Sequence, residues 1–330
     1  MENTSRLFKK NRKWLIASFL IIVTLFFLKY IQSNRYLVLN SIVDFEHQIE
    51  IPEIEDNWIP QGICKTDDYL FVSAYDPKMK EGKSGETGRP SVVFVIDNQT
   101  HKHIKTLSFE GEVEGEVIDL RSHFGAIDYV DKNNILYIAD STNGILWQVS
   151  MDAIYSAIDE EGKSSKVSVE TILVERQVRI SFLTYHNGLL YIGQHDKDSE
   201  SENFMIGYDL SSNEAKTDKI PLQSKSQGIT FVDYQDQLYL LTSCSRGVDN
   251  PSTLVVEKIE EATDEKGNVI LKKDIEKELA LPNMSEDLYV DGEKVYICFE
   301  SAAEYYNKGL VSLFTEKRHI LVTTMESILK

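Results

Sequence analysis

The chain has 330 residues and 42% hydrophobic content, enough to bury one large core or two ordinary ones. Residues 1–35 hold seven of the 35 basic residues and one of the 53 acids, so a chain of net charge −18 carries −24 beyond residue 35. A field of that sign keeps a protein soluble and repels anionic polymers, which excludes a nucleic-acid binder. Three cysteines, Cys64, Cys244 and Cys298, are too few and too scattered for a disulfide framework or a structural zinc site.

In chain order, Arg6, Lys9, Lys10, Arg12 and Lys13 form a basic tail over residues 1–13. An uncharged apolar run from Trp14 to Leu28 follows, closed by Lys29, Tyr30 and Ile31. A spanning helix usually needs about 20 apolar residues, and snorkelling of Lys29 would extend this one. The expectation is a signal anchor over 14–31, with the amino terminus cytoplasmic and everything after the 32–43 linker exported. That makes a single-pass protein of the cell membrane. A cleaved signal peptide is the competing reading, but no small-x-small site follows the run.

From residue 44 to 330 one phrase recurs. It reads Gln61-Gly-Ile…Tyr-Leu-Phe-Val-Ser-Ala-Tyr-Asp76, Phe124-Gly-Ala-Ile…Ile-Leu-Tyr-Ile-Ala-Asp140 and Ser181-Phe-Leu-Thr…Leu-Leu-Tyr-Ile-Gly-Gln-His-Asp196. It returns as Gln227-Gly-Ile-Thr…Leu-Tyr-Leu-Leu-Thr-Ser243 and Glu286-Asp-Leu-Tyr…Val-Tyr-Ile-Cys-Phe-Glu300. The copies start 63, 57, 46 and 59 residues apart. Within each, a strand, a polar turn such as Asn187-Gly188 or Asp291-Gly292, and a second strand make a hairpin. Third strands are predicted at 91–97, 144–150, 204–210 and 253–258, and fourth strands at 103–109, 167–174, 214–222 and 270–281. The fold class is all-β, a β-propeller of five four-stranded blades, with six as the alternative.

In the last copy, His319 to Thr324 supplies a third strand and no fourth is left before the carboxyl terminus. Phe45 to Ile51 has the character to fill that place and close the ring, which removes an exposed edge. Closure would also bring Cys64 and Cys298 near each other, where a bridge competes with buried free thiols. The insertion at 151–166 reads as a short helix and loop.

The phrases Gly-Ile…Tyr-Leu-Phe-Val-Ser-Ala and Leu-Tyr-Ile-Ala-Asp resemble the broad propeller superfamily of gluconolactonase-like, NHL-type and quinoprotein-like repeats. The resemblance implies a propeller over the exported part. Gluconolactonase-like members place a metal-binding Glu at the start of the first repeat, where this chain has Gln61. Only Glu286 offers an acid at an equivalent position.

Blade topology places the start of each first strand and the end of each second strand on one face. Gathered there are Gln61, Tyr75, Ser181, Gln227 and Arg246 as candidate ligand-binding residues. Asp76, Asp140, Asp196, Glu286 and Glu300 are candidate oxygen ligands for Ca²⁺ or another divalent cation; the same acids equally suit turn caps. His123, His195 and Glu286 are candidate acid–base groups. The loops from Pro77 to Pro90, Lys197 to Asn203 and Gly247 to Ser252 open on this face, as does Glu304-Tyr305-Tyr306. Gly82-Lys83-Ser84 imitates the end of a phosphate loop, but Pro77 stands where its glycine belongs. There is no Gly-x-Ser-x-Gly elbow and no His-Glu-x-x-His motif. The expected function is a membrane-tethered module that binds a protein, peptide or glycan ligand at the channel mouth. The alternative is a metal-assisted hydrolase or lactonase at the same place.

Overall fold

The computed structural model describes residues 2–33, 45–78, 88–113, 115–174, 178–196, 202–306 and 317–330. Gly82-Lys83-Ser84, nearly all of the 32–43 linker and the middles of the loops after Asp76 and Asp196 lie outside the described residues.

Helix α1 spans Glu2–Ser33. Among the described residues, no helix is long and apolar enough to cross a membrane. The consecutive side chains Phe19, Leu20, Ile21, Ile22 and Val23 are all about half exposed or more. At 100° per residue those five positions cover the whole circumference.

The remaining elements are antiparallel meanders. The first comprises β2 (Ile59–Lys65), β3 (Tyr69–Tyr75), β4 (Val92–Asp97) and β5 (His103–Val113), with a short β6 (Glu116–Asp119) added to β5. The second comprises β7 (Phe124–Val130), β8 (Ile135–Asp140), β9 (Ile145–Ser150) and β10 (Ser164–Val174), with helix α2 (Met151–Asp159) inserted before its last strand. Ser150 caps α2 by accepting the amide of Ala153. The third holds β11 (Phe182–His186), β12 (Leu189–Gln194) and β13 (Phe204–Asp209), edged by the two-residue strands β14 (Glu214–Ala215) and β15 (Ile220–Pro221). The fourth holds β16 (Ser226–Tyr234), β17 (Gln237–Cys244), β18 (Ser252–Thr263) and β19 (Val269–Leu281). The last is β20 (Ser285–Asp291), β21 (Lys294–Phe299) and β22 (His319–Thr324), completed by β1 (His47–Glu50) from the far end of the chain. A helix, α3 (Met325–Leu329), ends the fold.

The hairpin turns follow from residues that tolerate left-handed backbone. Asn187 and Gly188 both have positive φ, as do Gln235 and Asp236, which matches the twist that a tight hairpin demands. Two features depart from the sequence reading. The expected strand over 214–222 is broken into β14 and β15 around residues 216–219. In addition, β5 and β10 pair in parallel, Thr106 opposite Ser164 through Gly111 opposite Val169, which ties the outer edges of the first two meanders together.

The innermost strands touch in cyclic order, β2 to β7 to β11 to β16 to β20 and back to β2. Strand β1 pairs with β22, His47 opposite Val322 to Glu50 opposite His319, as the sequence leads one to expect. Apolar clusters fill the gaps between neighbouring meanders. One, containing Ile49, Val72, Phe94, Tyr296 and Ile320, joins the last to the first. This is a propeller-type ring. Cys64, Cys244 and Cys298 are buried free thiols, so the considered Cys64–Cys298 bridge is absent.

Inside the ring, two acids stitch neighbouring inner strands. Asp128 of β7 accepts the Tyr185 amide of β11 at 2.7 Å, and Asp287 of β20 accepts the Ile63 amide of β2 at 3.2 Å. Burial pushes the Asp128 carboxyl up to about 7, against the opposing pull of the Tyr185 and Tyr129 amides. Burial likewise pushes Asp287 up. A carboxyl whose folded pKa is raised favours the folded state below the unfolded pKa near 4, and that contribution is lost as pH rises towards 7. Asp128→Asn is therefore expected to gain stability relative to the wild type between pH 4 and 7, by up to about 1.4 kcal/mol per pH unit. Urea unfolding at several pH values checks this; parallel profiles for the two proteins would refute it.

Candidate functional site at the channel mouth

The register of each inner hairpin sets the rim. Ile59 pairs with Tyr75, Phe124 with Asp140, Phe182 with Gly193, Ser226 with Cys244, and Ser285 with Phe299. First-strand starts and second-strand ends therefore lie at one end of the ring. There the chain encloses a cavity of about 450 Å³. Of the residues singled out in the sequence, Gln61, His123, Ser181, His195, Gln227, Glu286 and Glu300 line it. Arg179, Ser141 and Thr142 also line it, as does Tyr306 of the tyrosine pair.

The geometry is tightly specified on the side where the last and first meanders meet. Gln61, 2% exposed, donates from Nε2 to its neighbour's Pro60 carbonyl at 2.7 Å and to Glu300 Oε2 at 3.1 Å. Glu286 and Glu300 are 3% and 7% exposed. Tyr306 lies beside Tyr75. Burial, reinforced by Glu300 and Glu286, raises both phenols, so they stay protonated donors. Tyr75 is not among the lining residues; its ring centroid lies 4.4 Å from that of His123, which is.

Both histidines have one ring nitrogen committed. His123 Nδ1 is 2.7 Å from Ser141 Oγ. His195 Nδ1 is 2.9 Å from the Ser226 carbonyl. A carbonyl only accepts, so Nδ1 of His195 carries the proton and bridges the third and fourth meanders. Burial, aided by Arg179 and Lys225, holds the His195 pKa below its ordinary value, although its bond to Ser226 and the charge of Asp196 oppose that. A neutral ring with Nδ1–H presents Nε2 as an acceptor.

The five acids read as oxygen ligands do not converge. Asp76 caps its own loop, accepting from the Lys78 amide at 3.0 Å, the Arg89 amide at 3.1 Å and Arg89 Nε at 2.9 Å. Burial would raise it, but those bonds together hold it below the usual carboxylate range. Asp140, fully buried, accepts from Ser122 Oγ, the amides of Thr142 and Asn143, Asn143 Nδ2 and Trp147 Nε1. Both acids are occupied by these donors, and neither lines the cavity. Asp196 starts a loop that Asn203 clamps through its backbone, at 3.2 and 2.9 Å. Only Glu286 and Glu300 remain at the mouth. Among the described residues, no group of three His, Cys, Asp or Glu side chains is placed to hold a metal ion. Arg246 is exposed outside the cavity lining, its carbonyl accepting Asn250 Nδ2 at 3.3 Å.

Arg179 escaped the sequence reading because it precedes the repeated phrase by two residues. The signal that could have found it is proximity: Arg179 stands two residues ahead of Ser181, one further than Pro60 and His123 stand ahead of Gln61 and Phe124.

No family model matches the chain, and no curated protein matches it. Among solved structures, the chain is similar to hydrazine synthase of Kuenenia stuttgartiensis, at 13% identity over 80% of this chain and 85% of that one, with a TM-score of 0.37. It is also similar to the WD40 repeats of RRP9, at 9% identity over 87% and 98% of the two chains, with a TM-score of 0.43. A third likeness is an auxiliary nutrient binding protein from Bacteroides thetaiotaomicron, at 11% identity over 80% and 58%, with a TM-score of 0.38.

Proposed function

We propose that the chain is a membrane-anchored, extracytoplasmic propeller of five blades whose channel mouth is a binding site for a small polar ligand. The observation that carries the binding reading is convergence. Seven positions chosen from five separate stretches of sequence line one cavity of about 450 Å³, a size suited to a small molecule or a peptide end. The lining supplies amides, hydroxyls, imidazoles, two carboxylates and one guanidinium, a set suited to hydrogen-bonding recognition. The blade count rests on the cyclic order of the inner strands.

The anchor rests on α1. Within α1 the stretch from Trp14 to Leu28 exposes apolar side chains on every side, and the basic cluster ahead of that stretch matches a cytoplasmic terminus; the stretch is shorter than the length that crosses a membrane unaided. Binding is favoured over metal-assisted hydrolysis because Asp76 and Asp140 are consumed by their own turns.

The test uses the full chain in nanodiscs, screened by thermal shift against amino acids, short peptides, sugars and divalent cations. A stabilising compound should lose its effect in Gln227→Ala and Ser181→Ala, each shift being read against that variant's own ligand-free melting temperature. Stabilisation that persists in both variants would overturn the mouth as the site. Hydrolytic turnover abolished by Glu286→Gln would instead establish the hydrolase alternative. Carbonate extraction of native membranes tests the anchor, which fails if the protein is released.

A further inference from the structure

Charge is unevenly distributed around the mouth. Glu286, near the start of β20, and Glu300, just past the end of β21, both belong to the last meander. Glu300 is bonded to Gln61 of the first, so the two carboxylates sit at the junction of those meanders. Arg179 precedes β11, in the third meander. In the cyclic order of the inner strands, β11 is two steps from β20 in one direction and two from β2 in the other. Arg179 and the two glutamates therefore come from opposite arcs of the ring that lines one cavity.

The two sides also differ in commitment. Arg179 is exposed, and its backbone amide donates to Gln194 Oε1 at 3.2 Å. Among the described residues its guanidinium has no ion pair or hydrogen bond, and it carries the planar fork of donors that pairs with a carboxylate. Glu286 and Glu300 are nearly buried, where a carboxylate is poorly hydrated and the phenols of Tyr75 and Tyr306 lie close by. Ser181, Gln227 and His195, whose Nε2 is an acceptor, line the same cavity.

We propose that the mouth selects a zwitterion: a molecule of amino-acid to dipeptide size whose carboxylate pairs with Arg179 and whose ammonium lies between Glu286 and Glu300. An anion without an amine would bring like charge towards the two glutamates. An amine without a carboxylate would leave the arginine fork unused. A neutral sugar would engage neither pole. The proposal rests on the mouth-binding reading above and assigns its ligand class.

The experiment is isothermal titration of the full chain in nanodiscs. The probes are the twenty amino acids, the dipeptides Ala-Ala and Gly-Gly, the matched des-amino acids and decarboxylated amines, and a neutral disaccharide. At least one zwitterion is expected to bind, with both of its single-charge analogues weaker by roughly tenfold or more. Arg179→Ala should weaken the zwitterion by a similar factor and leave the decarboxylated amine unchanged. Arg179→Lys should recover only part of the loss, since it keeps the charge without the fork. Glu286→Gln should weaken zwitterion and amine but spare the des-amino acid. Arg179 is exposed, so its variants keep the test valid even if Glu286→Gln folds poorly. Amino acids and dipeptides bound with different affinity separate the two sources of the same chemistry. A des-amino acid that binds as well as its parent, or a zwitterion indifferent to Arg179→Ala, overturns the proposal. Binding of the disaccharide alone, sensitive to Gln227→Ala, overturns the zwitterion but keeps the mouth. Binding insensitive to every mouth substitution overturns both.

Discussion

Gly125→Ala is expected to destabilise the fold by about 3 kcal/mol or more, as over-packing against fixed backbone does at its upper end. A Cβ at Gly125 would lie 2.0 Å from the Ser181 carbonyl oxygen and 3.0 Å from its carbon. Those atoms are backbone at the start of the next inner strand, and Ser181 is itself held by the hydrogen bond its N–H donates to the Gly193 carbonyl at 2.8 Å. Relief requires moving one blade's inner strand away from its neighbour, around a ring that is closed on itself. Gly62 and Gly228 make equivalent approaches, to the backbone of Ala126 and Ile127 and of Asp287 respectively. Gly207→Ala is the control, because its nearest neighbours are side-chain atoms of Tyr191, Thr217 and Leu189 at 3.0 to 3.2 Å, which can yield. Chemical denaturation of the three proteins measures the difference. If Gly125→Ala and Gly207→Ala lose equal stability, the inner strands are not locked as described.

Asp140→Ala should cost about 3 kcal/mol, from the loss of a buried charged acceptor that serves several donors at once. The carboxylate receives the Thr142 amide at 3.1 Å, the Asn143 amide at 2.9 Å, Asn143 Nδ2 at 2.9 Å and Trp147 Nε1 at 3.2 Å, besides Ser122 Oγ. Alanine strands the Trp147 donor in the core shared by the first two meanders. It also releases the turn that carries Ser141 and Thr142 into the cavity. Asp140→Asn should fall between the two, since an amide keeps one acceptor but turns its NH₂ towards donors. The same measurement, repeated with millimolar Ca²⁺, separates a turn cap from a metal ligand. A calcium-dependent stability lost in Asp140→Ala would contradict the structural role assigned to Asp140.

Much of the fold was legible because a strand's side-chain alternation and its turn residues are local. Asn187-Gly188 and Asp291-Gly292 mark their turns without reference to the rest of the chain. The repeat supplied the ring, and the missing last strand supplied its closure by β1. What misled was also local. The run over 214–222 has the composition of a strand, yet pairs only at its ends. The parallel tie between β5 and β10 has no sequence signature, because it joins the outer edges of two separate repeats.

The candidate site divides in the same way. The repeated phrase by itself determined which end of each hairpin reaches the mouth, and so placed Gln61, His123, Ser181, His195, Gln227, Glu286 and Glu300 there. It did not determine which acids are spent, because Asp76 and Asp140 look like Glu286 and Glu300 until their loop amides are seen bonding to them. Nor did it disclose Arg179, or that this cation lines the same cavity as the two glutamates. Strand direction is written in nearest neighbours along the chain. Charge balance and hydrogen-bond commitment depend on partners from other blades and on the turn's own folded backbone, and only the closed ring brings those into place.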